Sequence, residues 1–281
     1  MNLNTLNDTA PPENLVAVYE FDRKDNVWSD WHKTAMLIKH LTWRHLAARY
    51  RGSSLGFAWS LLNPLILMGV YTFVFRYIFR ATVPGVPFPV FLLTGILAWN
   101  FFSSAALNAA VSLVSGASLI NKAAFPRIAL PVSAVLASAV NYAVTIPILI
   151  AFGMLFGVFP TFLLLLLPGA LLLILLLAIG DGALLSALMP FFNDLQHLIE
   201  VALTIWFFLT PVVYPMSQVP EGLAPFYRLN PIVGLIELVH SVFLGQDLPL
   251  RSLGIAVAGV VVVLGAGLLV FRRVAKHATE V

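Results

Sequence analysis

The spacing of charged residues limits what this chain can fold into more than any other feature of its sequence. No charged side chain lies between Arg80 and Lys122, and none lies between Arg127 and Asp181. Each stretch is longer than the about 20 residues that one membrane-spanning helix needs. Such stretches are expected to lie inside lipid or protein. Because 60% of all residues are hydrophobic and only 10% are charged, the sequence predicts an integral membrane protein.

Turn-forming residues divide this apolar sequence into spans. The 281 residues, less a polar N-terminal part, leave room for roughly six to eight spans. Proline and glycine at residues 83–87 and 156–160 interrupt the charge-free stretches. We therefore predict an all-α integral membrane fold with six transmembrane helices. The predicted spans are residues 57–79, 88–114, 129–156, 161–189, 198–213 and 253–271.

The lysines and arginines predict the orientation of these spans. An even number of spans places both termini on one side of the membrane. Twelve of the 16 basic residues lie in the N-terminal part, in the loop after the second span or in the tail: Arg23, Lys24, Lys33, Lys39, Arg44, Arg49, Arg51, Lys122, Arg127, Arg272, Arg273 and Lys276. Because such residues accumulate on the cytoplasmic side, the segment 1–27 and the tail 274–281 are both predicted to be cytoplasmic.

Residues 28–51 predict an amphipathic interface helix before the first span. Apolar and aromatic side chains recur at helical spacing, and basic side chains occupy another face. The apolar positions are Trp28, Trp31, Ala35, Ile38, Leu41 and His45, and the basic positions are Lys33, Lys39, His40 and Arg44. Such a helix lies in the plane of the membrane surface. It is either a simple anchor in the membrane lipids or a platform on which a partner docks.

The segment between the fifth and sixth spans predicts a different structure on the outer side. Its apolar part, residues 231–244, would rise only about 21 Å as a helix, which is less than the about 30 Å of a bilayer core. We therefore predict short re-entrant helices over residues 220–244, covered by protein or lining water. Glu237 and His240 in this segment, and Tyr214 before it, are candidate residues of an outer gate.

The sequence disfavours an enzyme, and we expect no catalytic residue, cofactor or metal in this chain. No GxxxxGK[ST] loop is present to bind ATP, and there is no cysteine for thiolate chemistry. Glu237 and His240 lack the additional ligands of a carboxylate-bridged metal site. An enzyme acting on polyprenyl-linked sugars would need acidic or histidine groups clustered at one membrane face. Because the basic residues flank the spans and form no stripe on a soluble face, no nucleic acid partner is predicted.

Two features leave alternatives open. Asp181 is a carboxylate well inside a predicted span. It is either a proton or substrate contact, as in a proton-coupled transporter, or a hydrogen-bonded group where adjacent glycines admit another helix. Most aromatic residues fit interfacial belts and helix packing, and a minority would line a passage. The candidates for the passage are Trp59, Tyr71, Phe75 and Trp99.

Four motifs occur in a characteristic order. The first, R-x-R-x-x-x-L-G-x-x-W-x-x-L-x-P, runs from Arg49 to Pro64. The others are Phe125-Pro126-Arg127 with Leu130-Pro131, then Phe192-Asn193-Asp194-Leu195, then Leu209-Thr210-Pro211-Val212-Val213-Tyr214-Pro215. Together they resemble the membrane subunit of ABC-2 type polysaccharide exporters, the permeases for O-antigen, capsule and teichoic acid chains. The resemblance covers residues 28 to 273.

The resemblance implies a homodimeric permease in the bacterial cytoplasmic membrane, working with two copies of a separate ABC ATPase. That partner would bind ATP and Mg²⁺. The implied cargo is an undecaprenyl-diphosphate-linked glycan, foremost O-antigen, with a capsule or teichoic acid chain, a drug or a lipid as alternatives. The implied ATPase-coupling residues are Trp28, Trp31, Lys33, Lys39, Arg44, Lys122, Phe125, Pro126 and Arg127. One departure is Asn193, which stands where the family motif has arginine.

Arg49 and Arg51 lie where the interface helix bends into the first span. Gly52 and Gly56 make this bend possible. The arginines are within reach of anionic headgroups, an attraction of about 1 kcal/mol for each basic residue. They either anchor the topology or, at a substrate entrance, also hold the diphosphate of the incoming lipid-linked glycan.

Overall fold

The computed structural model describes residues 31–50, 58–78, 83, 85–120, 125–192 and 194–274, and these form an all-helical protein. Their one extended pairing is an isolated bridge between Val83 and Val86. The helices are α1 (Trp31–Tyr50), α2 (Trp59–Thr72), α3 (Phe88–Ala110), α4 (Ser112–Ser115), α5 (Ala117–Ile120), α6 (Ala129–Leu155), α7 (Leu167–Leu188), α8 (Leu195–Phe208), α9 (Ala224–Leu229), α10 (Pro231–Leu244) and α11 (Leu250–Val274).

Four helical segments in this part of the chain are long and apolar enough to cross a membrane: Phe88–Ala110, Ala129–Leu155, Phe162–Phe191 and Leu250–Val274. Helices α8 and α10 are apolar but have only 14 residues each. Helix α2 continues directly into a π-helical turn, Phe73–Ile78. Each of the six predicted spans thus falls on a helix, and the prediction of a multi-pass, all-α protein is confirmed.

Helix α3 lies at the centre of the bundle. It contacts α6, α7, α10, α2 and α8, and every residue from Phe88 to Trp99 is buried. The core around it includes Leu92, Phe102, Ile174, Leu177, Ile236 and Val239. Because protein surrounds this helix on nearly all sides, its few uncovered residues identify the one side that no other described part of the chain covers.

Glycine allows α7 and α11 to cross at close range. A methyl group at Gly267 would collide with the backbone carbonyl of Gly180. Two residues further along and on the opposite side of α7, a methyl group at Gly182 would collide with Ala109 of α3. Small residues at such crossings are typical of membrane helix bundles, where close van der Waals contact drives association.

Helix α1 packs along α6 and joins a separate apolar cluster at one end of the bundle, which we call the α1-end cluster. Its buried members are Leu37, Leu41, Leu113, Ala129, Leu130, Ala183, Ala187 and Phe271. The cluster gathers the start of α6 and the ends of α7 and α11 beside α1. The Thr42 hydroxyl donates a hydrogen bond to the Ser133 backbone carbonyl oxygen, at 3.4 Å. Helix α1 is thereby fixed to the bundle by its leucine face.

The predicted re-entrant segment contains α9 and α10, which are held by capping residues. The Asn230 side chain accepts a hydrogen bond from the Ile232 amide, and Pro231 occupies the first turn. Gly245 ends α10 in the left-handed conformation, with φ 66°. Between these caps nearly every residue of α10 is buried, against α11, α3 and α7. The body of this short helix is therefore enclosed by protein, whereas its C-cap residue Gly245 is exposed.

Candidate functional site

His240 is the most enclosed of the predicted outer-gate residues. Its ring stacks on Phe91 with centroids 4.0 Å apart, and Nε2 lies 3.1 Å from the Phe91 carbonyl oxygen. Gly95 permits this approach, because a methyl group there would come within 2.5 Å of the Val212 carbonyl and 2.8 Å of His240 Nε2. His240 therefore joins α10 to α3, next to the point where the loop after α8 approaches Gly95.

Glu237 lies one turn before His240 and is only partly buried. The Ser252 hydroxyl donates a hydrogen bond to its carboxylate, and the Arg228 guanidinium is nearby. Its Oε2 atom is nevertheless buried without a hydrogen-bond partner. Over the ranges described above, no group of three or more histidine, aspartate or glutamate side chains comes together in a way that could hold a metal ion.

Tyr214 fastens the loop after α8. Its hydroxyl donates to the Phe208 carbonyl oxygen at 2.8 Å and lies 3.3 Å from the Tyr227 hydroxyl. Burial raises the pKa of Tyr214, and the hydrogen bond to Tyr227 raises it further. The phenol is therefore neutral at physiological pH. Tyr214 connects this loop to α9, and so to the segment that carries Glu237.

The aromatic residues predicted to line a passage occupy different environments. Trp99 is buried and meets the rings of Trp206 and Phe207 edge-on, with centroids 6.1 and 5.8 Å away. Trp59 is 48% exposed at the start of α2. The side chains of Tyr71 and Phe75 lie outside the described part of the chain. In the single chain, Trp99 thus joins α3 to α8.

The predicted coupling residues that the structure describes lie together at the α1 end. Lys33, Lys39, Arg44 and Arg49 are exposed along α1, and Phe125 packs against the α1-end cluster. Trp31 is 62% exposed, so the side of α1 that faces protein is centred on Leu37 and Leu41. Pro126 and Arg127 are partly buried just before α6. Trp28, Arg51 and Lys122 lie outside the described residues, as does Asn193.

His45 is the titratable residue at the inner side of α1. Burial lowers the pKa of His45, and the neighbouring Arg44 guanidinium lowers it further. The neutral imidazole is therefore favoured when α1 is packed against α6. This contrasts with the exposed lysines and arginines on the same helix, which present positive charge outward.

Asp181 lies where α7 meets α11 and α3, between Gly180 and Gly182. Its Oδ2 atom is buried and has no hydrogen-bond partner. The flanking glycines make the two close helix contacts described above. The structure thus places the carboxylate at a packed junction.

Sequence reasoning missed a row of polar residues on α3. Of the 23 residues in this helix, 18 are buried, and the other five are Asn100, Ser103, Ser104, Leu107 and Asn108. Four of these five are polar. The signal was present in the sequence, since Asn100, Ser104 and Asn108 are spaced i, i+4, i+8 and share one helix face.

The fold defines the class: a multi-pass, all-helical membrane protein with a helix fixed across one end of its bundle. The chain matches the ABC-2 type transporter family over residues 36–244. It is 36% identical over 230 residues to the O-antigen export system permease protein RfbA of Myxococcus xanthus, covering 81% of this chain and 88% of that protein.

Two further relatives extend the comparison. The chain is 28% identical over 250 residues to an O-antigen export system permease protein RfbA of Klebsiella pneumoniae, with coverage of 87% and 94%. It is 28% identical over 208 residues to the polysialic acid transport protein KpsM of Escherichia coli, with coverage of 72% and 78%. The protein belongs to the ABC-2 type transporter family.

Proposed function

We propose that this chain is the membrane-spanning permease of an ATP-driven exporter, and that it moves a lipid-linked polysaccharide across the bacterial cytoplasmic membrane. The observation that carries the proposal is the match to an O-antigen export permease along 81% of this chain and 88% of that protein. O-antigen is therefore the foremost cargo. The relative named for polysialic acid transport supports a capsule polysaccharide as the alternative.

Six spans with both termini in the cytoplasm fit the arrangement of the helices. Four segments have the length and composition to cross, and α2 with its π-helical turn forms 20 continuous residues, 59–78, which rise about 30 Å at 1.5 Å per residue. Helix α8 and the residues after it up to 213 supply the remaining span. The α1-end cluster joins α1 to the end of α11, which supports a common side for the two termini.

The α1 end is the proposed docking surface for two copies of an ABC ATPase, one on each permease of a homodimer. Exposed basic side chains on α1 lie beside Phe125 and Arg127, which precede α6. ATP and Mg²⁺ would be bound by that partner. For the homodimer, α8 offers an uncovered apolar side with Leu198, Val201 and Ile205 more than half exposed.

Arg49 is proposed to bind the diphosphate of the incoming undecaprenyl-linked glycan, together with Arg51. Its side chain is exposed in the last turn of α1, next to the elbow that leads into α2. Replacing both arginines with glutamine should reduce export, with membrane insertion and dimerisation unchanged. Loss of insertion in this variant would instead support a role as a topology anchor. Trp59, Tyr71, Phe75 and Trp99 remain predicted lining residues.

A proton-coupled transporter is the second candidate, and one observation favours it. The Oδ2 atom of Asp181 is buried without a partner, and intramembrane carboxylates often mark proton pathways. Export that persists in Asp181→Asn and requires ATP hydrolysis would exclude this candidate. Export that follows the proton gradient and stops in Asp181→Asn would favour it over the ATP-driven exporter.

The proposed function is tested by ATP hydrolysis in lipid nanodiscs that contain this chain and its ATPase. The probe is undecaprenyl diphosphate bearing the host cell's O-antigen glycan, and undecaprenyl diphosphate alone is the control. We expect the glycan-bearing lipid to stimulate hydrolysis in the assembled complex. If no ATPase associates with the chain when both are coexpressed and mildly extracted, the proposed function is wrong.

A further inference from the structure

His240 attaches α10 to the end of α3 that lies away from α1. Its ring stacks on Phe91 with centroids 4.0 Å apart and ring planes 25° apart, and its Nε2 atom lies 3.1 Å from the Phe91 backbone oxygen. Because a carbonyl oxygen only accepts hydrogen bonds, Nε2 carries the proton and is the donor. We call the stacking and this hydrogen bond together the His240 contact. Only 5% of the residue is exposed, so protein encloses the contact.

Gly95 leaves no free space beside the His240 contact. A methyl group on Gly95 would lie 2.8 Å from His240 Nε2 and 2.5 Å from the Val212 backbone oxygen. Helix α3 is therefore already in close contact with α10 and with the loop after α8. Close-packed groups transmit a displacement instead of absorbing it. A shift of α3 thus either moves His240 as well or breaks the His240 contact.

On its other side α10 packs against α11. A methyl group on Gly234 would lie 2.6 Å from the Ser252 backbone oxygen, and the Ser252 hydroxyl donates a hydrogen bond to Glu237. A methyl group on Gly259 of α11 would lie 2.9 Å from Pro231. Helix α10 is thus held between α11 and α3, and the His240 contact decides whether it moves with α3.

Helix α3 is in turn paired with α6 by side chains in the middle of the bundle. The Asn108 amide nitrogen donates to the Ser138 hydroxyl at 3.3 Å. About two turns further from α1, the Phe101 and Tyr142 rings stack with centroids 5.2 Å apart. Both rings are buried, and such pairs stabilise the contact of two elements beyond the area that they bury.

The pairing of α3 with α6 continues to both ends. At the α1 end, a methyl group on Gly116, just after α4, would lie 2.8 Å from the Leu130 side chain. At the other end, a methyl group on Gly153 would be in ordinary contact with the Val90 side chain, at 3.8 Å. The 23 residues of α3 rise about 35 Å. Helices α3 and α6 therefore support each other over the thickness of a bilayer core.

The paired helices reach the proposed docking surface at the α1 end. Helix α3 is followed by α4, whose Leu113 is buried in the α1-end cluster, and Phe125 packs against the same cluster just before α6. Arg127 lies between Phe125 and the start of α6. A displacement of this surface therefore acts on α3 and α6 together. The His240 contact lies at the far end of the same pair.

We propose that His240 is a positioning residue that makes α10 follow α3, so that a movement of the docking surface reaches the outer gate. This inference rests on the proposed function. Helices α3 and α6 move as one unit, in the manner of rigid elements that shift between two packed arrangements. His240 acts through α10 and needs no contact with the cargo. Because coupling between two sites is reciprocal, the state of the gate also affects binding at the docking surface.

Two substitutions separate the parts of the His240 contact. His240→Phe keeps a ring to stack on Phe91 and removes the donor, whereas His240→Gln keeps an N–H donor and removes the ring. Gln246→Ala, at an exposed position just after α10, is the control. Amide hydrogen exchange of the chain alone in nanodiscs is measured first. We expect about two- to tenfold faster exchange in α10 and in residues 88–95 of α3 for both His240 variants, because a lost hydrogen bond or stack promotes local opening.

Exchange that is unchanged in residues 88–95 in both variants would refute the attachment of α10 to α3. Gln246→Ala should match the wild-type chain in both segments. Helix α7 should exchange at the wild-type rate in all three variants, since the His240 contact does not include it.

A second measurement tests transmission in the complete complex with the ATPase. Exchange is compared without nucleotide and with ADP and orthovanadate, which arrest hydrolysis. In the wild type we expect the nucleotide to change exchange in residues 125–128 and in α10. In His240→Phe the change in residues 125–128 should persist, while the change in α10 falls at least about threefold. A merely structural role would speed exchange of α10 equally in both states and leave the nucleotide-dependent difference as it is, which would refute the inference.

The two measurements separate this inference from the proposed function. If no ATPase associates with the chain, the proposed function is refuted and transmission to the gate with it, while the first measurement still decides whether His240 attaches α10 to α3. If the nucleotide changes exchange in residues 125–128 of the wild type and not in α10, the ATPase partner stands and the inference is refuted.

Discussion

At the scale of single residues, the function of glycine in this protein is set by what lies next to it. Gly267 faces the backbone of Gly180 across the α7–α11 crossing, whereas Gly265, on the same helix, has open space beside it. The sequence around both residues is almost uniformly apolar and small. Its pattern therefore gives no means of telling which glycine is required, and only the crossing geometry distinguishes them.

Gly267→Ala should lower the free energy of unfolding by about 1–3 kcal/mol, because the added methyl group forces two backbones apart. Gly265→Ala is the matched control. It should be neutral or slightly stabilising, since alanine restricts the unfolded chain more than glycine does. Thermal unfolding in nanodiscs measures both. Equal Tm values for the two variants would show that α7 and α11 do not cross at Gly267.

His45 should make the attachment of α1 sensitive to acid. Because burial lowers its pKa below the ordinary value of 6.5, the unfolded chain binds the proton more tightly than the folded chain does. The stability contributed by the neutral ring is therefore present above about pH 6.5 and is lost as the pH falls below it. We expect Tm to fall between about pH 7.5 and pH 5.5, and to fall less in His45→Gln. An identical decrease in both proteins would contradict this.

At the scale of elements, the positions of the helices along the chain were predictable from the sequence. The side of each helix that packs against protein was not. Composition and turn residues located the four helical segments that are long and apolar enough to cross, because a bilayer imposes length and apolarity on a crossing helix. They gave no information on which side of a helix meets protein, since lipid is as apolar as a core leucine. Helix α1 illustrates this, because its predicted apolar face correctly included Leu41 but also included Trp31, which is 62% exposed, and it omitted Leu37, which is buried.

The leucine face of α1 can be tested directly. Leu37→Ala removes a side chain that is only 2% exposed, and such truncations cost about 2–5 kcal/mol in well-packed sites. We expect faster amide hydrogen exchange across α1 and weaker association with the ATPase. Met36→Ala, at a neighbouring position that is 54% exposed, should leave both unchanged. Unaltered exchange in Leu37→Ala would mean that another contact holds α1 to the bundle.

The candidate site was only partly accessible to sequence reasoning. Arg49, Phe125 and Arg127 were predicted from motifs, and the structure places Phe125 in the cluster that holds α1. The polar residues Asn100, Ser104 and Asn108 of α3 were overlooked because serine and asparagine in an apolar span are usually satisfied within the bundle. Only the burial of every other face of α3 gives Asn100 and Asn108 their significance.

At the scale of the whole molecule, the two ends of the bundle are built differently. At the α1 end, a charged outer helix is fixed over the ends of α6, α7 and α11. At the other end, α10 is enclosed by protein, and His240 joins it to α3. In the proposed exporter, the first end receives the ATPase and the cargo, and the second end forms the outer gate with Tyr214 and Glu237.

The measurement that tests the central claim most directly is surface display of glycan in cells that lack this chain. O-antigen reaching the cell surface is quantified with and without a plasmid copy, and lipid-linked glycan retained inside the cytoplasmic membrane is quantified in parallel. We predict that loss of the chain abolishes surface glycan and accumulates the lipid-linked form inside, and that the wild-type copy reverses both effects. Unchanged surface glycan and no internal accumulation would contradict the assignment as its export permease.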